Sequence, residues 1–143
     1  MVDDNLNGIF HCCSAIVSLI IRSDRSNCGR VVSIASVAGN EDHPDASACC
    51  MSRAGVIPLT ISLGKEPAQS NVAVNCITSE ASTARLFEQM TKEQIDYKPA
   101  RIPRGQFGEV QEIVSKVAWR VSDGRSCATA GVFDFSGGRA TTY

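Results

Sequence analysis

Apolar positions Ile9, Cys12, Cys13, Ile16, Leu19 and Ile20 recur at three- and four-residue spacing. That period predicts a helix over residues 5–22, with Asp3 or Asp4 as its N-cap. A polar loop over 23–29 separates it from Arg30-Val31-Val32-Ser33-Ile34-Ala35-Ser36, a mostly apolar, β-rich run of the kind buried on both faces of a parallel sheet. Residues 39–45 are turn-rich and contain Pro44, and residues 46–65 predict a second helix. Pro58 lies inside that helix, where it removes a backbone donor and imposes a kink. Val72-Ala73-Val74-Asn75-Cys76-Ile77 reads as a second buried strand, followed by a short helix over 82–90 and a polar stretch to Pro103. A third long helix is expected over 109–121, patterned by Val110, Ile113, Val114, Val117 and Ala118. A third strand covers 131–135 and ends at Ser136-Gly137-Gly138.

Strict alternation of helix and strand predicts an α/β chain with three parallel strands, right-handed crossovers and helices on both faces of the sheet. Residues 1–143 read as a single domain with one core. In such sheets chemistry gathers at the carboxyl ends of the strands. Here those ends carry Ser36 and the loop over 78–84.

Composition narrows the class. Apolar residues make up 43% and charged residues 20%, as in ordinary soluble domains, and fourteen basic against fifteen acidic side chains leave a net charge of −1. That balance offers no electrostatic footprint for nucleic acid. The N-terminus is acidic where a secretion signal needs positive charge, and the apolar run over 15–21 is too short to span a bilayer. A cytoplasmic protein without a membrane span is expected. The seven cysteines are odd in number, contain no C-x-x-C and have only two distant histidines for company. Neither a disulfide framework nor a metal site is expected, and Cys12, Cys13 and Cys76 read as small core residues.

Gly29-Arg30-Val31-Val32-Ser33-Ile34-Ala35-Ser36-Val37-Ala38-Gly39 resembles the fifth strand of the short-chain dehydrogenases/reductases, with Ser36 at the position of the catalytic serine. The likeness continues through Ala46-Ser47-Ala48 and Ser52-Arg53-Ala54-Gly55-Val56, where Cys49 stands at the position of the family's tyrosine and Arg53 at that of its lysine. Asn5-Leu6-Asn7-Gly8-Ile9-Phe10 resembles the helix of the fourth catalytic residue, an asparagine, and Asn5 takes that position. Val74-Asn75-Cys76-Ile77-Thr78 resembles the sixth strand, which usually runs into Pro-Gly and a cofactor-binding threonine; Ser79, Glu80 and Ala84 hold those positions. Asp134-Phe135-Ser136-Gly137-Gly138 resembles the seventh-strand ending. The chain thus looks like the C-terminal half of such a protein, closest in flavour to the β-ketoacyl-carrier-protein reductases. It is a partial Rossmann-like sheet that lacks the dinucleotide-binding half and its glycine-rich turn, and Met1 reads as an internal start.

The resemblance implies an NAD- or NADP-dependent oxidoreductase acting on a small carbonyl or alcohol, with Ser36, Cys49, Arg53 and Asn5 at the catalytic positions and Arg53, Ser79, Glu80 and Ala84 facing the cofactor. The family's tyrosine moves the proton, its lysine tunes that tyrosine and holds the ribose, its serine binds the substrate oxygen and its asparagine supports a water relay. A thiol at position 49 falls roughly a ring's length short of a phenol oxygen. Arg53 remains a cation able to bind ribose or phosphate. The expectation is therefore a family member that is inactive as an isolated chain. The competing reading is a non-enzymatic module that pairs with itself or with a full-length relative through the first two long helices, the dimer interface the family implies; the strand at 30–36, without its parental neighbour, adds an exposed edge. Two minor readings are a halohydrin-dehalogenase-like site, whose serine, tyrosine and arginine share the spacing of Ser36, Cys49 and Arg53, and a redox thiol at Cys49 resolved by Cys50. Cys49, Arg53, Pro58, Pro67 and Arg120 are all locally costly choices, a sign of a loosely constrained sequence.

Overall fold

The computed structural model describes residues 1–22, 29–40, 46–67, 69–80, 91–122 and 128–140. A π-helical turn, Asp3–Asn7, runs without a break into α1 (Gly8–Arg22). β1 (Gly29–Ser36) ends in a single 3-10 turn, Val37–Gly39. Then come α2 (Ser47–Lys65), β2 (Val72–Ser79), α3 (Lys92–Ala100), α4 (Val110–Val121) and β3 (Val132–Phe135). The strands form one parallel sheet in the order β1-β2-β3.

β2 is central, and its residues 72–78 are all buried, which is why that stretch is apolar without alternation. Val31 lies opposite Val74, and Ser33 opposite Cys76, so these side chains share one face. On that face α1 and α2 close two contiguous clusters. One joins Cys13, Val17, Leu63, Val72 and Val74; the other joins Ala35, Val56, Ile57 and Cys76. Each large aliphatic side chain sealed there contributes roughly 1.5–3 kcal/mol. The opposite face carries Ile77, Phe133 and Phe135, against which Lys116 and Arg120 of α4 pack. The Arg120 guanidinium lies 3.0 Å from the centre of the Phe133 ring and 4.3 Å from that of Trp119, a cation–π sandwich that lets a charged residue sit in an apolar stretch.

Several expectations are revised. Neither Asp3 nor Asp4 is a cap: both lie inside the π turn, where Asp3 Oδ1 accepts from Asn7 Nδ2 at 2.8 Å and Asp4 meets the terminal ammonium at 3.4 Å. The run at 15–21 understates the first helix. Asp3–Arg22 is long and apolar enough, with a mean hydropathy of 1.3, to cross a bilayer by length and composition. Its Cys13 and Val17 are buried against the sheet, while most of the helix is not. α2 is continuous across Pro58, which sits on its exposed side. α3 occupies part of the stretch expected to be irregular, while the helix expected over 82–90 lies outside the described residues. α4 is held at its start by a reciprocal cap, in which the Glu109 N–H donates to Glu112 Oε2 at 2.8 Å.

Candidate functional site

The carboxyl end of β1 and the first turns of α2 meet in one corner. Ser36 is the last residue of β1, extended at φ −149° and ψ 155°, and its Oγ accepts the Ala38 N–H at 3.2 Å. That bond caps the 3-10 turn and leaves the hydroxyl proton available to an outside acceptor. The turn brings Gly39 against α2. A Cβ at Gly39 would lie 2.9 Å from backbone atoms of Arg53 and Ala54, so only glycine allows this approach.

Arg53 occupies the second turn of α2, and its Nη1 donates to the carbonyl of Ile34 at 2.9 Å. Cys49 lies one helical turn earlier on the same helix face, half-buried and free, and its carbonyl accepts Ser52 Oγ at 2.9 Å. Asn5 is half-buried in the π turn; its backbone N–H donates to Met1 O at 2.9 Å. The neighbouring Leu6 presses on Gly55 of α2, where a Cβ would come within 2.8 Å of it. The structure thus gathers Ser36, Cys49 and Arg53 around the β1–α2 corner. It sets the Asn5 turn against the same helix, with no hydrogen bond among the described residues between Asn5 and the other three.

The positions at the end of β2 behave differently. Ser79 closes the strand, opposite Ser36 in register, and is half-buried. Glu80 is buried and directs its carboxylate inward, where Arg139 Nη1 donates to Glu80 Oε2 at 2.6 Å. Ala84 lies outside the described residues. Beside the ion pair, Thr78 Oγ1 donates to Asp134 Oδ1 at 3.2 Å, Ser136 Oγ donates to Asp134 Oδ2 at 2.6 Å, and Ser136 Oγ accepts the Ala140 N–H at 3.0 Å. This polar cluster ties the tail after β3 to the carboxyl end of β2, and sequence reasoning missed it. The only available signal was a pair of opposite charges at the ends of neighbouring parallel strands.

The cysteines divide by depth. Cys76 is wholly buried, and burial pushes its thiol up to about 11 while the neighbouring Thr60 hydroxyl pulls the other way, so it is a neutral core thiol at physiological pH. Cys12 is exposed, and Cys49 and Cys50 are half-buried. Among the described residues no group of three His, Cys, Asp or Glu side chains is placed to hold a metal ion.

Comparison with known proteins fits this architecture. The family model described as Enoyl-(Acyl carrier protein) reductase matches residues 1–140. The chain is 41% identical over 141 residues to 2-dehydro-3-deoxy-L-rhamnonate dehydrogenase (NAD(+)) of Sphingomonas sp. (strain SKA58), covering 99% of this chain and 55% of that enzyme. It is 28% identical over 138 residues to the 3-oxoacyl-[acyl-carrier-protein] reductase of Haemophilus influenzae, covering 96% and 56%. Among solved structures, an actinorhodin polyketide ketoreductase with NADPH superposes with a TM-score of 0.83 at 26% identity, over 96% of this chain and 57% of that one. Sorbitol-6-phosphate 2-dehydrogenase of Erwinia amylovora, at 21% identity and a TM-score of 0.85, shares the fold. The chain spans about half the length of the curated relatives it matches.

Proposed function

The chain belongs to the enoyl-(acyl carrier protein) reductase family of short-chain dehydrogenases/reductases, and from that premise we propose that residues 1–143 form the catalytic-side half of an NAD(P)-dependent carbonyl–alcohol oxidoreductase fold that does not transfer a hydride by itself. The observation that carries this reading is the state of the β1–α2 corner. Ser36 still offers a hydroxyl proton to a substrate oxygen. Cys49 stands where the resemblance requires a phenol, and its sulfur, one bond from Cβ, falls roughly a ring's length short of where a phenol oxygen would be. Arg53, at the lysine position, has its guanidinium on the Ile34 carbonyl.

The same corner bears on the nicotinamide cofactor. When bound in a relative, that group supplies or accepts the hydride. Of the residues expected to hold it here, Arg53 donates to β1 and Glu80 is locked in the ion pair with Arg139. Ser79 is left as the one described candidate without such an internal bond. These groups do not make a cradle for a dinucleotide, which needs backbone donors and a helix N-terminus at its pyrophosphate.

The test is turnover by the purified chain. NADH and NADPH oxidation would be followed at the nicotinamide absorbance with 3-oxoacyl thioesters and 2-keto sugar acids as substrates. The expected rate equals the protein-free rate. Saturable oxidation with either cofactor would overturn the reading.

A second reading, a module that pairs with a second copy or a full-length relative through α1 and α2, is favoured by the apolar side chains those helices leave in solvent. Phe10, Ile16, Leu19 and Ile21 of α1 and Met51 of α2 are all exposed. The dehalogenase-like reading keeps its spacing but has no phenol to deprotonate a hydroxyl. The thiol reading finds Cys49 and Cys50 adjacent, both half-buried, with no cluster of His, Cys, Asp or Glu side chains around them among the described residues.

A further inference from the structure

We propose that the cleft between the loop over 104–108, the first turn of α4 and the end of β3 is a binding site for a free α-amino acid with a small apolar side chain. The cleft encloses about 380 Å³, its open mouth included. That lies toward the lower end of small-ligand sites, about 300–1,000 Å³. β3 is two strands across the sheet from β1, roughly 10 Å, so the cleft stands apart from the Ser36 corner and from the functional reading of it.

The backbone fixes the walls. Gly137 is left-handed, at φ +68°, and a Cβ there would lie 2.6 Å from Ile102 Cγ2. Its carbonyl accepts the Arg104 N–H at 3.2 Å, which ties the loop to the end of β3. At Gly108 a Cβ would lie 2.7 Å from Phe135 Cε1, so glycine is what lets the Phe135 ring form one wall. A ligand entering a site built this way has little to reorganise.

The side chains set the chemistry. The stem of Arg104 runs along Gly137, where a Cβ would sit 3.5 Å from Arg104 Cβ and 3.8 Å from its Cδ. Its guanidinium makes no hydrogen bond or ion pair with another described residue, and neither does the Gln106 carboxamide. Glu112 brings a carboxylate to the same cleft. Its Oε2 accepts the Glu109 N–H at 2.8 Å, while its Oε1 accepts from no other described residue. The rings of Phe107 and Phe135 complete the lining. An anion alone would meet the Glu112 carboxylate, and a cation alone the Arg104 guanidinium. A zwitterion suits both. Its carboxylate takes the Arg104 fork, its ammonium takes Glu112 Oε1, and its side chain lies on the phenyl rings.

The test is calorimetric titration of the purified chain with L-valine, isovalerate and isobutylamine. Isovalerate is valine without its ammonium, and isobutylamine is valine without its carboxylate. L-Valine binds saturably, and each analogue binds at least about tenfold more weakly, because each forfeits one charge-assisted bond. The Gly108 and Gly137 amide resonances shift with the same midpoint as the heat. Arg104→Met keeps the stem on Gly137, and Glu112→Gln keeps an acceptor for the Glu109 N–H. Each weakens L-valine by a similar factor while the urea midpoint stays where it was. No saturable binding of L-valine up to tens of millimolar overturns the proposal, as do shifts confined to residues away from the cleft. So does either analogue binding as tightly as L-valine, which would make this a plain anion or cation site. That comparison is made on the wild-type chain and stands even if a variant does not fold.

Discussion

Replacing Glu80 by alanine probes the corner where the sequence departs from its family's cofactor-facing pattern. Glu80 and Arg139 have side-chain exposures of 6% and 5% and lie 2.6 Å apart. Removing the carboxylate takes from a buried guanidinium a charged partner at 2.6 Å. Breaking a buried pair from one side costs about 3–5 kcal/mol. Against the ~5–15 kcal/mol that holds a typical domain together, this is a large share of the total. Replacing both partners with apolar residues of similar volume, Glu80→Leu with Arg139→Met, removes the desolvated charges together and is expected to be near neutral. Urea unfolding followed by far-ultraviolet circular dichroism gives both numbers and the coupling between them. A loss below about 1 kcal/mol for Glu80→Ala would refute the reasoning, because that is the range of a solvated surface pair.

Other consequences follow from single contacts. Gly39→Ala forces a Cβ to 2.9 Å from the α2 backbone and should destabilise the chain by about 1–3 kcal/mol in the same unfolding assay. Glu112→Ala removes the acceptor of the Glu109 N–H and should cost about 1 kcal/mol, with earlier loss of helical signal. The Cys76 thiol is raised by burial from 9.0 to about 11, so the folded state holds its proton more tightly than the unfolded state. Its contribution is complete below pH 9.0 and declines as pH rises toward 11, and a Cys76→Ala chain should lack that component of the alkaline decline.

How far the sequence spoke for this structure depends on the element. β2 announces itself because a strand buried on both faces is apolar almost throughout, β1 because its run is mostly apolar and β-rich although its side chains are only partly covered, and α4 because its apolar stripe repeats at helical spacing. α3 gave no such sign. Its residues, Lys92–Ala100, are mostly polar and end at Pro99-Ala100, so no apolar face marks it as a helix. The Asp3–Asn7 turn misled for another reason: its aspartates look like caps, yet the helix begins before them. At the site, the proximity of Ser36 and Arg53 follows from strand-turn-helix spacing and was legible. The bond from Arg53 to Ile34 was not, because a long side chain can choose between a ligand and a backbone carbonyl. The Glu80–Arg139 pair, like the Thr78–Asp134–Ser136 cluster, depends on which strands lie side by side, information that no local pattern holds.

The most direct test of the central claim is a titration of the chain with NADH and with NADPH, followed by nicotinamide fluorescence. With Arg53 on the Ile34 carbonyl and Glu80 paired to Arg139, the account predicts no saturable signal up to millimolar cofactor. Saturable binding of either dinucleotide would contradict it and would mean that this half of the fold builds a cofactor site unaided.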